Sequence, residues 1–305
     1  MTSIDNSLLL QPKPEKSQSF SYQAWRRFKK NKLAVFGMGF ILVLILISIL
    51  APLFAPYDPF VSIKNATGGL DIYSAPSATY PLGTDGLGRD ILSRIIYAGR
   101  ISLSVGLISI MISTTVGVLL GSLAGYFGGW VDTVIMRTVD VVYCFPVMFL
   151  IITVSTLLKP SIFNIMIIIG MVSWTGTARL VRGEILRVRE NEYIQAARAL
   201  GAFDLTIIWQ HILPNILAPI LVQATLQTAE AILTEASLSF LGVGVQQPTP
   251  SWGNMLYEAM SIMVLRFRAW VWLPPGLAIL VTVLSINFIG DGLRDALDPK
   301  LKGKS

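Results

Sequence analysis

Apolar residues in this chain gather into long runs separated by short polar stretches. Six runs approach the ~20 residues a helix needs to cross a ~30 Å hydrocarbon core. They predict membrane-spanning helices at about 33–53, 101–126, 139–158, 162–180, 216–240 and 272–289. The first exceeds a signal-peptide core, which takes roughly 7–15 apolar residues. Only Ala51–Pro52 and Ala55–Pro56 follow it, neither a convincing cleavage site, so the run reads as an uncleaved span. Six spans place both termini on one side.

Two polar stretches carry local structure. Between the first and second runs, Ile91, Leu92, Ile95 and Ile96 share one helical face, with Arg89, Ser93 and Arg94 towards the other. This predicts a short amphipathic helix lying in the outer interface. The glycines before it form a turn rather than a nucleotide cradle, because no strand precedes them and no Gly-Lys-Ser/Thr ending follows. In the second run, Ser109, Ser113, Gly117, Gly121, Gly125 and Gly129 recur every four residues. That ridge allows close helix–helix approach, which must rest on van der Waals contact where lipid supplies no hydrophobic drive.

Composition agrees with a polytopic, all-α membrane protein. The 305 residues are 53% hydrophobic and 14% charged, and mean hydropathy is +0.64. Soluble domains carry about 25% charged residues. The formal charge of +6 does not indicate nucleic acid, since the basic residues flank apolar spans rather than share one soluble face. Their distribution sets orientation instead. With the N-terminus inside, the inner segments hold the anchor Trp25–Arg26–Arg27–Phe28–Lys29–Lys30–Asn31–Lys32, then Arg137, Arg179, Arg182, Arg187, Arg189, Arg198, Arg294, Lys300, Lys302 and Lys304. The outer segments hold Lys64, Arg89, Arg94, Arg100, Lys159, Arg266 and Arg268. Both termini are therefore expected in the cytoplasm. Residues 1–32 form a polar tail and basic anchor, 33–301 the membrane domain with a cytoplasmic loop at 183–214, and 302–305 a second tail.

Candidate chemistry is sparse. No Walker motif or nucleophile–base pair occurs, which argues against an enzyme and against a cofactor in this chain. Cys144 permits no internal disulfide, and His211 lacks a neighbour at metal spacing, so it reads as structural or interfacial. Glu230 and Glu235 lie in the outer half of the fifth run, near Thr225, Gln227, Thr228 and Thr234. Ionisable groups at that depth face a pore or a partner. Both are translocation-path candidates, the alternative being hydrogen bonding between helices. Asp140 reads as structural, paired with Arg137 one turn earlier.

The loop at 183–214 is the most informative segment. Ala196, Ala197, Ala199 and Leu200 favour a helix, Gly201 suits its C-terminal stop, and Pro214 suits the first turn of the next span. The small side chains of Ala196 and Ala197 allow a partner surface to approach. The run Tyr193–Ile194–Gln195–Ala196–Ala197–Arg198–Ala199–Leu200–Gly201, followed by His211–Ile212–Leu213–Pro214–Asn215, resembles the EAA motif of ABC-importer permeases. The chain is more narrowly similar to the C-type permeases of dipeptide and oligopeptide importers. Leu82–Gly83–Thr84–Asp85 with Gly88–Arg89–Asp90, Leu238 to Gly244 with Pro250–Ser251–Trp252–Gly253, and Asn287 to Pro299 carry that similarity. Gln195 stands where the motif leads with glutamate, which removes a charge, and His211 replaces a later isoleucine.

The resemblance implies a six-span, MetI-like fold in a bacterial cytoplasmic (inner) membrane. It implies pairing with a B-type permease, two cytoplasmic P-loop ATPases and an external solute-binding protein. Glu192, Tyr193, Gln195, Ala196, Ala197, Arg198, Gly201 and Pro214 would form the ATPase-coupling loop. Peptides are the expected cargo, with glutathione or nickel chelates as alternatives. The competing class is a secondary transporter, which commonly shows internal repeats; none is visible here.

Overall fold

The computed structural model of the chain describes residues 20–64 and 68–297. Most of the first tail, and all of the second, lie outside those residues. The described chain is helical: α1 Phe20–Phe28, α2 Lys32–Ile49, α3 Ala51–Phe54, α4 Ile91–Phe127, α5 Gly129–Cys144, α6 Val147–Leu157, α7 Ile162–Val188, α8 Glu192–Ala199, α9 Asp204–Thr206, α10 Leu213–Phe240, α11 Trp252–Leu256, α12 Ile262–Phe267 and α13 Ala269–Leu297. Among the described residues, five helical stretches are long and apolar enough to cross a membrane: α2, α4, α7, Asp204–Phe240 and α13. The pair α5 and α6 makes a sixth if counted as one bent span.

That pair replaces the straight helix expected at 139–158. It bends by 88° at Phe145–Pro146. Proline lacks an N–H and pushes the preceding residue out of the α region; Phe145 accordingly sits at φ −95°, ψ 135°. The amphipathic segment at 91–96 is likewise no separate interfacial helix. Asp90 caps α4 by accepting from the Ser93 N–H, and the helix then runs unbroken for 37 residues. At 1.5 Å per residue α4 is about 55 Å long, well beyond the hydrocarbon core. Its N-terminal end packs against the preceding loop, with the Tyr57 N–H donating to the Ser93 hydroxyl at 3.0 Å.

The small-residue ridge of α4 packs along α7. A Cβ at Gly117 would lie 2.5 Å from the Thr177 Cβ, and one at Gly121 would lie 2.6 Å from the Ala178 carbonyl oxygen. The Ser109 hydroxyl donates to the Met166 carbonyl at 3.0 Å. Gly129 leaves the ridge, since it begins α5 at φ 53° with open space around it. The helix α10 packs against this α4–α7 centre, α13 lies on α10, and α2 lies against α13 and α4.

The fifth span also starts earlier than its apolar run. A π-helical turn at Ile207–Ile212 joins α9 to α10, with the Leu213 N–H bonded to the Ile208 carbonyl. Pro214 follows, so its missing N–H falls where the register returns to α. It sits inside a continuous helical stretch from Asp204 to Phe240 rather than opening a new one.

Candidate functional site

The helices α4, α7 and α10 converge under the loop that joins α7 to α10. Eight residues are too few for a stable isolated helix, so α8 owes its order to docking. Ile194, 1% exposed, enters a buried cluster with Tyr126, Val181, Ile185, Val188, Ile207, Ile208 and Ile212. Arg198 lies over the Tyr126 ring, 5.2 Å from its centroid. The Tyr126 hydroxyl donates to Asp204 Oδ1 at 2.6 Å. Arg189 Nη1 donates to the Gly125 carbonyl at 3.0 Å, and Asn215 Nδ2 to the Tyr193 hydroxyl at 3.2 Å. The loop is thus fastened to the helix ends at its start, middle and finish.

Gly201 ends α8 at φ 82°. Its N–H bonds to the Arg198 carbonyl, and the Ala202 N–H bonds to the Ala197 carbonyl at 3.1 Å. This is the paired closure of a left-handed helix cap. The two candidate alanines part company here. Ala197 packs against the buried cluster, whereas Ala196 is exposed beside Glu192 and Gln195. Gln195 Nε2 donates to the Glu190 carbonyl, so the uncharged residue at this position closes a local turn.

The loop presents an apolar edge that sequence reasoning did not single out. Leu200 is 88% exposed and Phe203 83%, with Leu205 and Trp209 also exposed. The signal was present as large apolar residues in an otherwise polar island, but only the fold shows that they are not covered by the bundle. Patches of this kind mark contact sites.

The two acidic path candidates separate in the same way. Glu235 is fully buried. It accepts from the Ser239 hydroxyl at 2.7 Å and from the Ser102 hydroxyl at 3.2 Å. Trp252 N–H donates to that same Ser102 oxygen, tying the loop after α10 to α4. Glu235 therefore joins helices within the chain and is corrected from path candidate to interhelical link. Glu230 stays on an open face of α10. Asp140 has a stronger partner than the expected Arg137: Arg179 Nη2 stands 2.6 Å from its carboxylate, against 3.8 Å for Arg137. Arg179 also lies over the Tyr143 ring.

At the opposite end, the motif segments Leu82–Asp90 and Pro250–Gly253 converge into a cap. Arg89 Nε is 2.7 Å from Asp85 Oδ2, and Arg94 Nε is 3.4 Å from the same oxygen. Arg89 Nη1 donates to Gln247 Oε1 at 2.8 Å. Glu258 Oε2 accepts from the Gly86 N–H at 3.0 Å. Burial, and then the nearby Asp85 charge, hold the Glu258 carboxyl above its ordinary pKa.

Comparison with known proteins agrees with this architecture. The family described as "Binding-protein-dependent transport system inner membrane component" matches residues 117–303, and "N-terminal TM domain of oligopeptide transport permease C" matches residues 19–76. The chain is 44% identical over 281 residues to the dipeptide transport system permease protein DppC of Haemophilus influenzae, covering 91% of this chain and 94% of that protein. It is 44% identical over 278 residues to the glutathione transport system permease protein GsiD of Pectobacterium atrosepticum, covering 91% and 90% respectively. A solved structure of the MetNI methionine ABC transporter in inward-facing form shares the fold. Its TM-score is 0.57 at 17% identity, over 68% of this chain and 98% of that one.

Proposed function

The chain belongs to the family of binding-protein-dependent transport system inner membrane components, and on that premise we propose that it is one half of a peptide-conducting pore driven by separate ATPases. Residues 183–214 receive the force. Two cytoplasmic P-loop ATPases close on ATP, and each grips a coupling loop. A B-type permease supplies the second half of the path, and an external solute-binding protein delivers cargo to the outer cap. Both termini lie in the cytoplasm. Dipeptides are the preferred cargo, because relatives named as dipeptide permeases match nearly the whole chain. Glutathione is the alternative, since relatives named for it match equally well.

One observation carries the mechanical part: a well-fastened α8 beside the uncovered apolar edge of Leu200, Phe203, Leu205 and Trp209. The fastenings make the loop move as one body with α4, α7 and α10. The edge provides the surface to be pushed. Closure of the ATPases would shift the inner ends of these helices, and their rigidity would transmit the shift to the path beside Glu230. The ATPase hydrolyses; this chain converts the motion.

Leu200→Asp tests this reading, because it places a charge on the uncovered edge without touching the buried cluster. The ATPase should no longer co-purify with the permease, while membrane insertion is retained. Undiminished co-purification, together with normal ATP-driven uptake, would show that this edge is not the contact. For orientation, external thiol reagents should reach Ala75→Cys but not Asp5→Cys or Gly303→Cys, each in a Cys144→Ser background. Labelling of position 303 from outside would reverse the topology.

A further inference from the structure

A groove of about 850 Å³ opens between α1, α2 and α13 on one side and α10 with the end of α7 on the other. Its deeper walls are apolar, with Met38, Leu217, Leu221, Ile289 and Leu293 among them. Its shallow end carries Trp25, Arg187 and Asn215. The Lys29 ammonium stands over the Trp25 ring, 5.0 Å from its centroid. We propose that this groove binds one anionic phospholipid of the cytoplasmic leaflet, with its phosphate at Arg187 and Lys29 and an acyl chain along the apolar wall.

Depth decides between a lipid and a protein occupant. On α10 the lining runs from Pro214 to Leu221, and on α13 from Leu297 back to Ile289. At 1.5 Å per residue these are about 10 and 12 Å. Half of a ~30 Å hydrocarbon core is about 15 Å, so the groove has the depth of a single leaflet. A span of another permease would need a track across the whole core. A soluble ATPase would not reach so far into hydrocarbon. An acyl chain confined to one leaflet needs about 15 Å, little more than the depth present.

Charge decides which lipid. Arg26, Arg27, Lys29, Lys30, Lys32, Arg187 and Arg294 cluster at this end of the helices, against Glu184, Asp291 and Asp295. Glu184 pairs with Arg187, yet the Arg187 side chain remains 70% exposed and able to reach a second acceptor. Basic groups beside an apolar cleft between spans select anionic headgroups. Aromatic rings such as Trp25 suit the same interfacial level.

The test reads Trp25. The permease complex is reconstituted in phosphatidylcholine vesicles, and the Trp25 signal is taken as the difference between wild type and Trp25→Phe. Brominated phosphatidylglycerol should quench that signal at several-fold lower mole fraction than brominated phosphatidylcholine. Lys29→Gln and Arg187→Gln should each lower the preference roughly fivefold, the loss expected for one basic group at a membrane surface. Ala218→Phe, which fills the groove, should abolish quenching by both lipids. Equal quenching by the two lipids would mean ordinary boundary lipid and overturn the proposal. Absence of quenching by either would mean that protein fills the groove, and would overturn it equally.

Discussion

Ile194→Ala should uncouple this permease without unfolding it. The side chain is 1% exposed and is the one residue of α8 wholly within the cluster at the helix ends. The change removes three carbons, which is about 2.4 kcal/mol at ~0.8 kcal/mol per buried methylene. A residual cavity brings measured losses for such substitutions to about 2–5 kcal/mol. The remaining ties are weaker. The Asn215–Tyr193 hydrogen bond and the Arg198–Tyr126 contact each contribute about 1 kcal/mol or less. An eight-residue helix cannot hold itself together once its dock is weakened. Much of the α4–α7 packing, at Ser109 with Met166 and Gly117 with Thr177, lies outside this cluster, so the spans should stay folded. Hydrogen exchange over 192–199 should therefore rise while exchange in the middle of α7 is unchanged. ATP-driven uptake of cargo presented on the binding protein should fall at least tenfold, with the ATPase still bound through Leu200 and Phe203. Wild-type exchange in α8 and wild-type uptake together would refute the view that this docked helix transmits the motion.

Gly201→Val strains the left-handed cap without meeting a neighbour, since nothing lies within 4 Å of its added Cβ. A cost of about 1–2 kcal/mol follows, and uptake should drop partially and recover in Gly201→Asn; failure of asparagine to rescue would point to bulk rather than backbone. Glu230→Gln should slow uptake roughly tenfold, the worth of a ~1.5 kcal/mol charged hydrogen bond to a peptide ammonium, with assembly intact; unchanged uptake removes Glu230 from the path. Glu258 binds its proton more tightly in the folded chain, because burial raises its pKa. Its stabilising contribution is thus complete below the unfolded value and is lost as pH rises through the folded one. Glu258→Gln keeps an oxygen for the Gly86 N–H and cannot ionise. Its melting temperature should exceed wild type at pH 7 to 8 and converge with it below about pH 4; a difference independent of pH would refute the assignment.

Hydrophobic run length is a local property, so the membrane class, the helices and the α8–Gly201 stop were legible in the sequence. Lipid leaves the backbone few options: a long apolar segment must satisfy its own hydrogen bonds as a helix. The glycine at the end of α8 was readable for a similar reason, since its left-handed conformation is a one-residue preference. Helix ends were less legible. Hydropathy reports where lipid begins, while α4, α7 and α13 continue past that point until a cap or turn stops them. The break at Phe145–Pro146 could have been read from proline alone, but its 88° angle depends on what each half packs against.

Which side of each helix is covered was decided only by the tertiary structure. Glu230 and Glu235 are five residues apart, both acidic and both within two residues of a threonine. At about 100° per residue they point in different directions. Ser239, one turn on in α10, is a local partner for Glu235, but only the position of α4 shows that it also meets Ser102. Ala196 and Ala197 are chemically identical neighbours, yet one faces the solvent and the other the isoleucine cluster. The cap at the other end joins Asp85 and Arg89 to Gln247 across some 160 residues of chain. Residue type sets what a side chain can bond; long-range packing chooses the partner, because the bundle must bury each polar group against another before lipid surrounds it.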